Sequence, residues 1–346
     1  MEIKQEKKRD SIIDIARVIV IFVIIFGHAN IRTPYCGGWC PELSIATAIM
    51  GGCKNSPVIF FFLFAGYFSK RTETLIPWKR VGSLLLSTIF WGVTGYLSFH
   101  ALASLGLWYR CGSFTPVVQA DIFGLFGSVY SIGVPGHCDL WFMKVLIPIV
   151  FLSGMLARIP AIGLLFLAGS CYAGAEFLDY GKVTHLPYIL HQKSLEAICY
   201  FCAGIVLRRY VPIQALSAFV HKISCPCFLV LFLQSGVSIF THWNMFGLPV
   251  IGGGLLILFY LSAAALVSKI RKMGDWVAKW GVAVFFVYVI QEILVMGFRD
   301  FFEIIPINKH AYTCIPVVIM GICLLLYSIL QRVLPERLKK IVFLQG

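Results

Sequence analysis

Three ionisable side chains interrupt one of the most apolar stretches of this chain. In IIDIARVIVIFVIIFGHANI, residues 12–31, Asp14 and Arg17 lie near the start and His28 lies near the end. On an α-helix, Arg17 and His28 would share one face about 16 Å apart, because eleven residues make three turns plus about 20°. Asp14 precedes Arg17 by three residues, so the two can form an ion pair on that face.

Ionisable groups are costly inside a membrane unless they line a cavity or the interior of a helix bundle. His28 lies deep in apolar surroundings, and we therefore expect it to be functional. Asp14 has two interpretations that the sequence leaves open: it orients Arg17, or it simply rests at the inner membrane surface.

The elements that hold these residues are predicted from composition. Of the 346 residues, 59% are hydrophobic and only 13% are charged, whereas soluble domains carry about a quarter charged residues. The apolar runs are long and continuous, which favours transmembrane helices over the alternating pattern of a barrel. We therefore predict an all-α polytopic membrane protein, with residues 1–346 forming one membrane-embedded domain.

Ten runs have the length of a membrane span, and basic residues between them set the orientation. Lys and Arg cluster in alternate short loops, which places both termini in the cytoplasm under the positive-inside rule. Residues 1–10 and 333–346 are then cytoplasmic tails. Arg17 interrupts the first run and no small-residue cleavage site follows, so an uncleaved first helix is expected. The predicted spans are 11–31, 45–68, 80–99, 140–157, 159–176, 195–207, 224–241, 248–268, 280–298 and 313–332.

The same charge pattern decides two further questions. The net charge of +13 is distributed as a topology signal, so nucleic acid is not an expected partner. The stretch at 117–134 is predicted to be an interfacial or re-entrant element, because a span there would invert every later loop.

Eleven of the twelve cysteines divide into two groups. Six fall in or beside predicted helices, where a thiol is usually a small apolar side chain: Cys171, Cys199, Cys202, Cys225, Cys227 and Cys323. Five fall in predicted outer segments, where we expect a disulfide of unknown pairing: Cys36, Cys40, Cys53, Cys111 and Cys138. No metal site is expected, since no second pair of ligands follows the first at metal-site spacing.

Four motifs in a fixed order resemble those of the acyltransferase family 3 membrane proteins. They are IDIAR followed by ten residues and His28, then FFFLFAGYFSKR at 60–71, LWFMKVLIP at 140–148 and VFFVYVIQE at 284–292. The opening motif and the chain length are most similar to the fucose 4-O-acetylase-like branch. Two residues depart from the family pattern: Ala65 stands where Ser is usual, and Gln291 stands where a late His is common.

This resemblance implies an O-acyltransferase that moves an acyl group, most often acetyl, from cytoplasmic acyl-CoA to a hydroxyl of a carbohydrate or a lipid-linked or extracellular glycan. A bacterial inner or plasma membrane and a role in modifying cell-envelope polysaccharide are expected. His28 is the candidate general base, because imidazole titrates near neutral pH and an alcohol must lose its proton as it attacks a thioester.

The other candidate residues follow from the same resemblance. Arg17, Asp14 and Glu292 are expected to join His28 in catalysis, although Glu292 equally suits a hydrogen bond that packs one helix against another. Acetyl-CoA is the expected co-substrate, held by Arg17 and by the basic group Lys70, Arg71, Lys79 and Arg80. Acceptor binding is assigned to Asp139, Trp141, Phe142 and Gln291. The two aromatic rings also suit an aromatic belt at the membrane interface, which is their commoner use.

Two other classes of function remain open. A transporter or flippase would also use an intramembrane Arg and His, although no interrupted helices recur in two halves of the chain. A ligand-sensing membrane module without catalysis is the third possibility, and Ala65 and Gln291 support it.

Overall fold

The computed structural model describes residues 10–31, 57–69, 74–104, 141–181, 192–241, 251–304 and 314–344. Within these ranges the chain forms helices and turns and no strand, which confirms the all-α prediction. The helices are α1 (Ser11–Ile31), α2 (Ile59–Tyr67), α3 (Trp78–Ser104), α4 (Trp141–Leu156), α5 (Ala161–Gly181), α6 (Gln192–Tyr210), α7 (Ile213–Thr241), α8 (Ile251–Lys269), α9 (Arg271–Lys279), α10 (Val284–Ile304), α11 (Ile315–Val333) and α12 (Glu336–Val342). A short 3₁₀ turn, Trp280–Val282, separates α9 from α10.

Five of these helices, α1, α5, α7, α8 and α11, are long and apolar enough to cross a membrane. A sixth span is possible if α9 and α10, which meet at 76°, form one bent unit. The chain is therefore an integral membrane protein with several spans. The count of ten and the cytoplasmic position of both termini stay predictions, and the segment at 117–134 and the five outer cysteines lie outside the described ranges.

Among the predicted spans whose first residue the structure describes, two begin four or more residues away from the start of the observed α-helix. Helix α7 begins at Ile213 rather than at 224. The predicted start was too late because the exposed side chains His221 and Lys222 interrupt the apolar pattern. The predicted span at 280–298 is a helix only from Val284 onward. The six cysteines placed in helices are all free thiols.

Helix α1 lies in the middle of the packing. It contacts α8, α9, the 3₁₀ turn, α10 and α11. Ile15, Ala16, Val20, Ile21 and Ile25 have no exposed surface. Helix α1 is therefore largely enclosed by its neighbours, and its buried Asp14 lies within the packed protein interior.

Helices α2 and α6 pack against each other at a pair of glycines. A Cβ atom on Gly66 would overlap the carbonyl oxygen of Phe201, and one on Gly204 would overlap the carbonyl oxygen of Leu63. Small residues allow this close approach of backbones, which is how membrane helices gain packing energy.

The C-terminal ends of α2, α4 and α6 come together at one end of the bundle, here called the basic end. Arg208 Nη1 donates to the carbonyl oxygen of Tyr67 at 3.1 Å, and Arg209 Nη2 donates to that of Ala157 at 2.8 Å. The last carbonyls of a helix lack partners within the helix and carry its negative dipole end, so arginine is a favourable cap there.

Candidate active site

The three ionisable residues of α1 lie on one continuous helix, as predicted. Helix α1 runs unbroken from Ser11 to Ile31, so Arg17 and His28 share a face about 16 Å apart. The nearest oxygen of Asp14 lies 3.6 Å from Arg17 Nη1, which is an ion pair within one turn. The Arg17 side chain is partly exposed, at 35% of its surface.

Asp14 is buried within the protein. Its residue surface is 7% exposed, and it faces the 3₁₀ turn between α9 and α10. A Cβ atom on Gly281 would lie 2.7 Å from Asp14 Cβ and 2.9 Å from its Oδ1. Glycine at 281 therefore leaves the space that the Asp14 side chain occupies. The two interpretations of Asp14, orientation of Arg17 and rest at the inner membrane surface, both stay predictions.

His28 meets α10 near the other end of α1. Its Nδ1 lies 3.1 Å from Nε2 of Gln291, a residue with no exposed surface. With the amide in this orientation the NH₂ group donates to Nδ1, and the ring proton is on Nε2. With the amide turned over, its oxygen accepts from Nδ1–H, and Nε2 then carries the lone pair that a general base needs.

Glu292 is buried beside this contact, with 1% of its surface exposed. It follows Gln291 directly, so its side chain projects about 100° away around α10. The structure therefore brings Asp14, Arg17, His28 and Gln291 onto the interface of α1 with α10 and its preceding turn, with Glu292 in the adjoining interior.

The two contacts fix the relative direction of α1 and α10. Asp14 is next to Gly281 and His28 is next to Gln291, so residue numbers rise in the same direction along both helices. The predicted ten-helix topology requires this, because 11–31 and 280–298 are its first and ninth spans.

A family model described as an acyltransferase domain matches residues 10–330, nearly the whole chain and every residue of this interface. The chain belongs to acyltransferase family 3. No curated protein and no solved structure matches it. As a member of this family the protein is a membrane acyltransferase, and its catalytic, donor-binding and acceptor-binding residues stay predictions.

The predicted acceptor residues of this acyltransferase differ in accessibility. Phe142 is buried, with its ring against Phe62 at 4.8 Å and Tyr288 at 5.5 Å between centroids. Trp141 is half-buried, and Lys193 Nζ lies 5.0 Å from the centroid of its ring. Of these two rings, only Trp141 has partly exposed surface to offer a sugar. Asp139 lies outside the described residues.

The predicted donor-binding group is described only in part. Lys79 and Arg80 are exposed in the first turn of α3, where they can approach a ligand from solvent. Lys70 and Arg71 lie outside the described residues. In the part of the chain that the structure describes, no three His, Cys, Asp or Glu side chains are grouped to hold a metal ion.

Three arginines that line a cavity were not predicted as binding residues from the sequence. Arg158, Arg208 and Arg209 line a cavity of about 440 Å³ at the basic end. In the sequence they read only as orientation signals, because short basic loops are expected between membrane spans. The pair Arg208–Arg209 at the end of α6 was a signal for this cavity, but only packing brings Arg158 to it.

Replacing Gln291 by leucine is expected to lower kcat about tenfold to hundredfold, with little change in KM for the donor. Leucine keeps the volume but removes the partner that fixes the tautomer of His28, a hydrogen bond worth about 1–3 kcal/mol. Steady-state kinetics and the pH dependence of kcat measure this loss. Gln331→Leu is the matched control, because Gln331 makes a comparable contact with the hydroxyl of Tyr327 on α11. Equal losses in both variants would show a general packing effect.

Replacing Gly281 by alanine is expected to lower activity by pushing Asp14 away from Arg17. The new methyl group meets the Asp14 side chain at 2.7–2.9 Å, and such a clash costs about 1–3 kcal/mol if it is not relieved. Activity and thermal stability of purified protein test this together. Gly321→Ala is the control, since nothing lies within 4 Å of a Cβ at that position. Full activity of the Gly281 variant would contradict a role for the Asp14–Arg17 pair.

Proposed function

We propose that this membrane acyltransferase transfers an acetyl group from cytoplasmic acetyl-CoA to a hydroxyl of a carbohydrate acceptor, with His28 as general base. The observation that carries the proposal is the contact of His28 Nδ1 with Gln291 at 3.1 Å inside the bundle. With the Gln291 amide turned so that its oxygen accepts from Nδ1–H, Nε2 of His28 is held in a fixed direction with the lone pair that a general base requires.

The reaction needs one proton carrier and no metal in this proposal. As the acceptor oxygen attacks the thioester carbonyl carbon, Nε2 of His28 takes the hydroxyl proton. The tetrahedral intermediate then collapses, the carbon–sulfur bond breaks and the thiolate of CoA leaves. The imidazolium returns its proton to that thiolate, which gives the O-acetyl ester and free CoA with His28 neutral again.

Arg17 and Asp14 form the donor side of the same face. Arg17 is permanently charged and presents a planar set of donors, so it suits a phosphate or the amide groups of the pantetheine arm. Asp14, buried against Gly281, orients that side chain. Glu292 is assigned to the same interior as a further catalytic acid.

The remaining predicted residues are assigned to binding the donor and the acceptor. Lys70, Arg71, Lys79 and Arg80 are proposed to attract the anionic donor from the cytoplasm. Trp141, Phe142, Asp139 and Gln291 are assigned to the acceptor, with Trp141 as the partly exposed ring. A glycan of the bacterial cell envelope, lipid-linked or extracellular, is the proposed acceptor, and a bacterial inner or plasma membrane the proposed location.

Purified protein in lipid vesicles, supplied with radiolabelled acetyl-CoA and a panel of oligosaccharides, tests the proposal. Label should appear in acid-stable, base-labile ester on one acceptor class, and this transfer should depend on His28. Movement of an oligosaccharide across the vesicle membrane without consumption of acetyl-CoA would instead identify a transporter. Donor or acceptor binding with neither transfer nor movement would identify a non-catalytic sensing module.

A further inference from the structure

The cavity at the basic end has the composition of an anion-binding site. Its walls come from the ends of α2, α4 and α6 and from the start of α5, and its volume is about 440 Å³. Pockets that hold small molecules begin at about 300 Å³. Three of its lining residues are the arginines already described, and the others are Ser69, Ala157, Ile159, Pro160 and Ile205.

Two of these arginines are held in place and still have donors to spare. Arg208 and Arg209 each donate to one backbone carbonyl, Tyr67 O and Ala157 O respectively. A guanidinium carries five N–H donors, and both side chains are exposed. Their capping contacts therefore fix the direction of each guanidinium without using most of its hydrogen-bonding capacity.

The positive charge of the lining residues also favours binding of an anion. Three positive charges line it, and none of its lining residues is acidic. Arginine pairs with phosphate through two parallel N–H···O bonds, which makes clustered arginines suitable for phosphate groups. A bound phosphate would offset the mutual repulsion of the neighbouring guanidinium groups of Arg208 and Arg209.

The position of the cavity connects it with the polar face of α1. The phenol of Tyr67, whose backbone carbonyl accepts from Arg208, lies within electrostatic reach of the Asp10 carboxylate. Asp10 caps the start of α1, with its Oδ1 accepting from the N–H of Ile12 at 3.0 Å. Asp14 and Arg17 follow one and two turns further along that helix.

We propose that this cavity, lined by Arg158, Arg208 and Arg209, binds the phosphate groups at the nucleotide end of the acyl-CoA donor. This assignment rests on the proposed function. The phosphates stay at the basic end while the flexible pantetheine arm extends along α1 from Arg17 toward His28. Donor affinity and acyl transfer thus depend on different residues, which makes the two separable by substitution.

Binding of adenosine 3′,5′-bisphosphate, which carries phosphate groups of CoA but has no thioester, tests the cavity without any reaction. The double variant Arg208→Gln/Arg209→Gln should bind this probe about tenfold or more weakly in titration calorimetry, since it lacks the charge-assisted hydrogen bonds of both guanidinium groups. Arg332→Gln/Arg337→Gln is the matched control, because both side chains are exposed on α11 and α12. Equal weakening in the two double variants would overturn the proposal.

A second pair of variants separates binding from the capping role of these arginines. Arg208→Lys/Arg209→Lys keeps the charge and a donor for each carbonyl, so it should fold as the wild type and bind the probe more tightly than the Gln pair. KM for acetyl-CoA should rise in the Gln pair, while KM for S-acetylpantetheine, which lacks the nucleotide phosphates, stays unchanged. Parallel rises for both donors would overturn the assignment.

The phosphate could also belong to a lipid headgroup, and vesicle composition decides this. The probe titration is repeated in phosphatidylcholine vesicles with and without phosphatidylglycerol. Loss of phosphatidylglycerol retention in the Gln pair, with unchanged probe binding, would assign the cavity to lipid and overturn the donor proposal. If the probe binds but acetyl-CoA is not consumed, the proposed function is refuted and the cavity assignment stands. If acyl transfer occurs but the wild type and the Gln pair bind the probe equally well, the cavity assignment is refuted and the proposed function stands.

Discussion

Acyl transfer should fall about hundredfold to ten-thousandfold when His28 is replaced by alanine, the range that general-base catalysis contributes. Alanine cannot take the proton of the attacking hydroxyl, so the alcohol remains a weak nucleophile. Donor affinity should change little, because the phosphate groups of the donor are assigned to the far end of α1. The loss should therefore appear in kcat and not in KM for acetyl-CoA.

The variant should still fold and insert. His28 is half-buried, and removing its ring gives up one hydrogen bond to Gln291, a cost of about 1–3 kcal/mol, against a typical total stability of about 5–15 kcal/mol. Size-exclusion chromatography and thermal melting in detergent check this. His28→Asn adds a stricter test, since asparagine can still bond to Gln291 but does not titrate near neutral pH.

His221→Ala is the matched control for both substitutions. His221 is exposed on α7, so its loss should leave transfer unchanged. Labelled acetyl groups on the acceptor are counted for all four proteins at equal amounts of folded material. Wild-type turnover in His28→Ala or His28→Asn would show that His28 is not the general base. The proposed donor-binding role of Arg17 would not be affected by that result.

The helical positions of Arg17 and His28 were predictable because they depend on local geometry alone. Eleven residues on one uninterrupted helix fix the shared face whatever surrounds it, and α1 is uninterrupted. The hydrophobic composition likewise determines the fold class, since backbone groups in lipid must bond within helices or closed barrels.

The partners of these residues were not predictable in the same way. His28 and Gln291 are 263 residues apart, and Asp14 meets a glycine in a turn that composition alone does not reveal. Such contacts depend on which helices pack together. Gln291 did attract notice, as a departure from the family pattern, but its contact with His28 is visible only in the packed bundle.

The arginines of the basic end were not predicted as ligand-binding residues for a different reason. One charge can both orient a membrane helix and bind a ligand, and the first role fully accounts for the sequence pattern. The start of α7 was misplaced for a related reason, because His221 and Lys222 interrupt the apolar pattern without interrupting the helix. A basic residue in a short loop or first helical turn is therefore explained by membrane topology alone, and its possible role in ligand binding cannot be recognised from the sequence.

Replacing Gly204 by alanine is expected to prevent the membrane acyltransferase from folding normally. The new Cβ atom would overlap the carbonyl oxygen of Leu63 and lie 2.8 Å from the backbone nitrogen of Tyr67. Backbone atoms cannot move aside by a rotamer change, so α2 and α6 must separate. Overpacking costs about 1–3 kcal/mol and more when a backbone must shift, and Gly66→Ala should have the same effect from the opposite helix.

Thermal melting and the yield of monodisperse protein measure this loss, with Gly169→Ala on α5 as control, since nothing lies within 4 Å of a Cβ there. The separation should also weaken the cavity at the basic end. Arg208 follows Gly204 by one turn and donates to Tyr67, the residue after Gly66. Any Gly204→Ala protein that does fold should therefore bind adenosine 3′,5′-bisphosphate more weakly than Gly169→Ala does. A variant with a normal melting temperature and normal probe binding would show that the close approach of α2 and α6 is not needed for either.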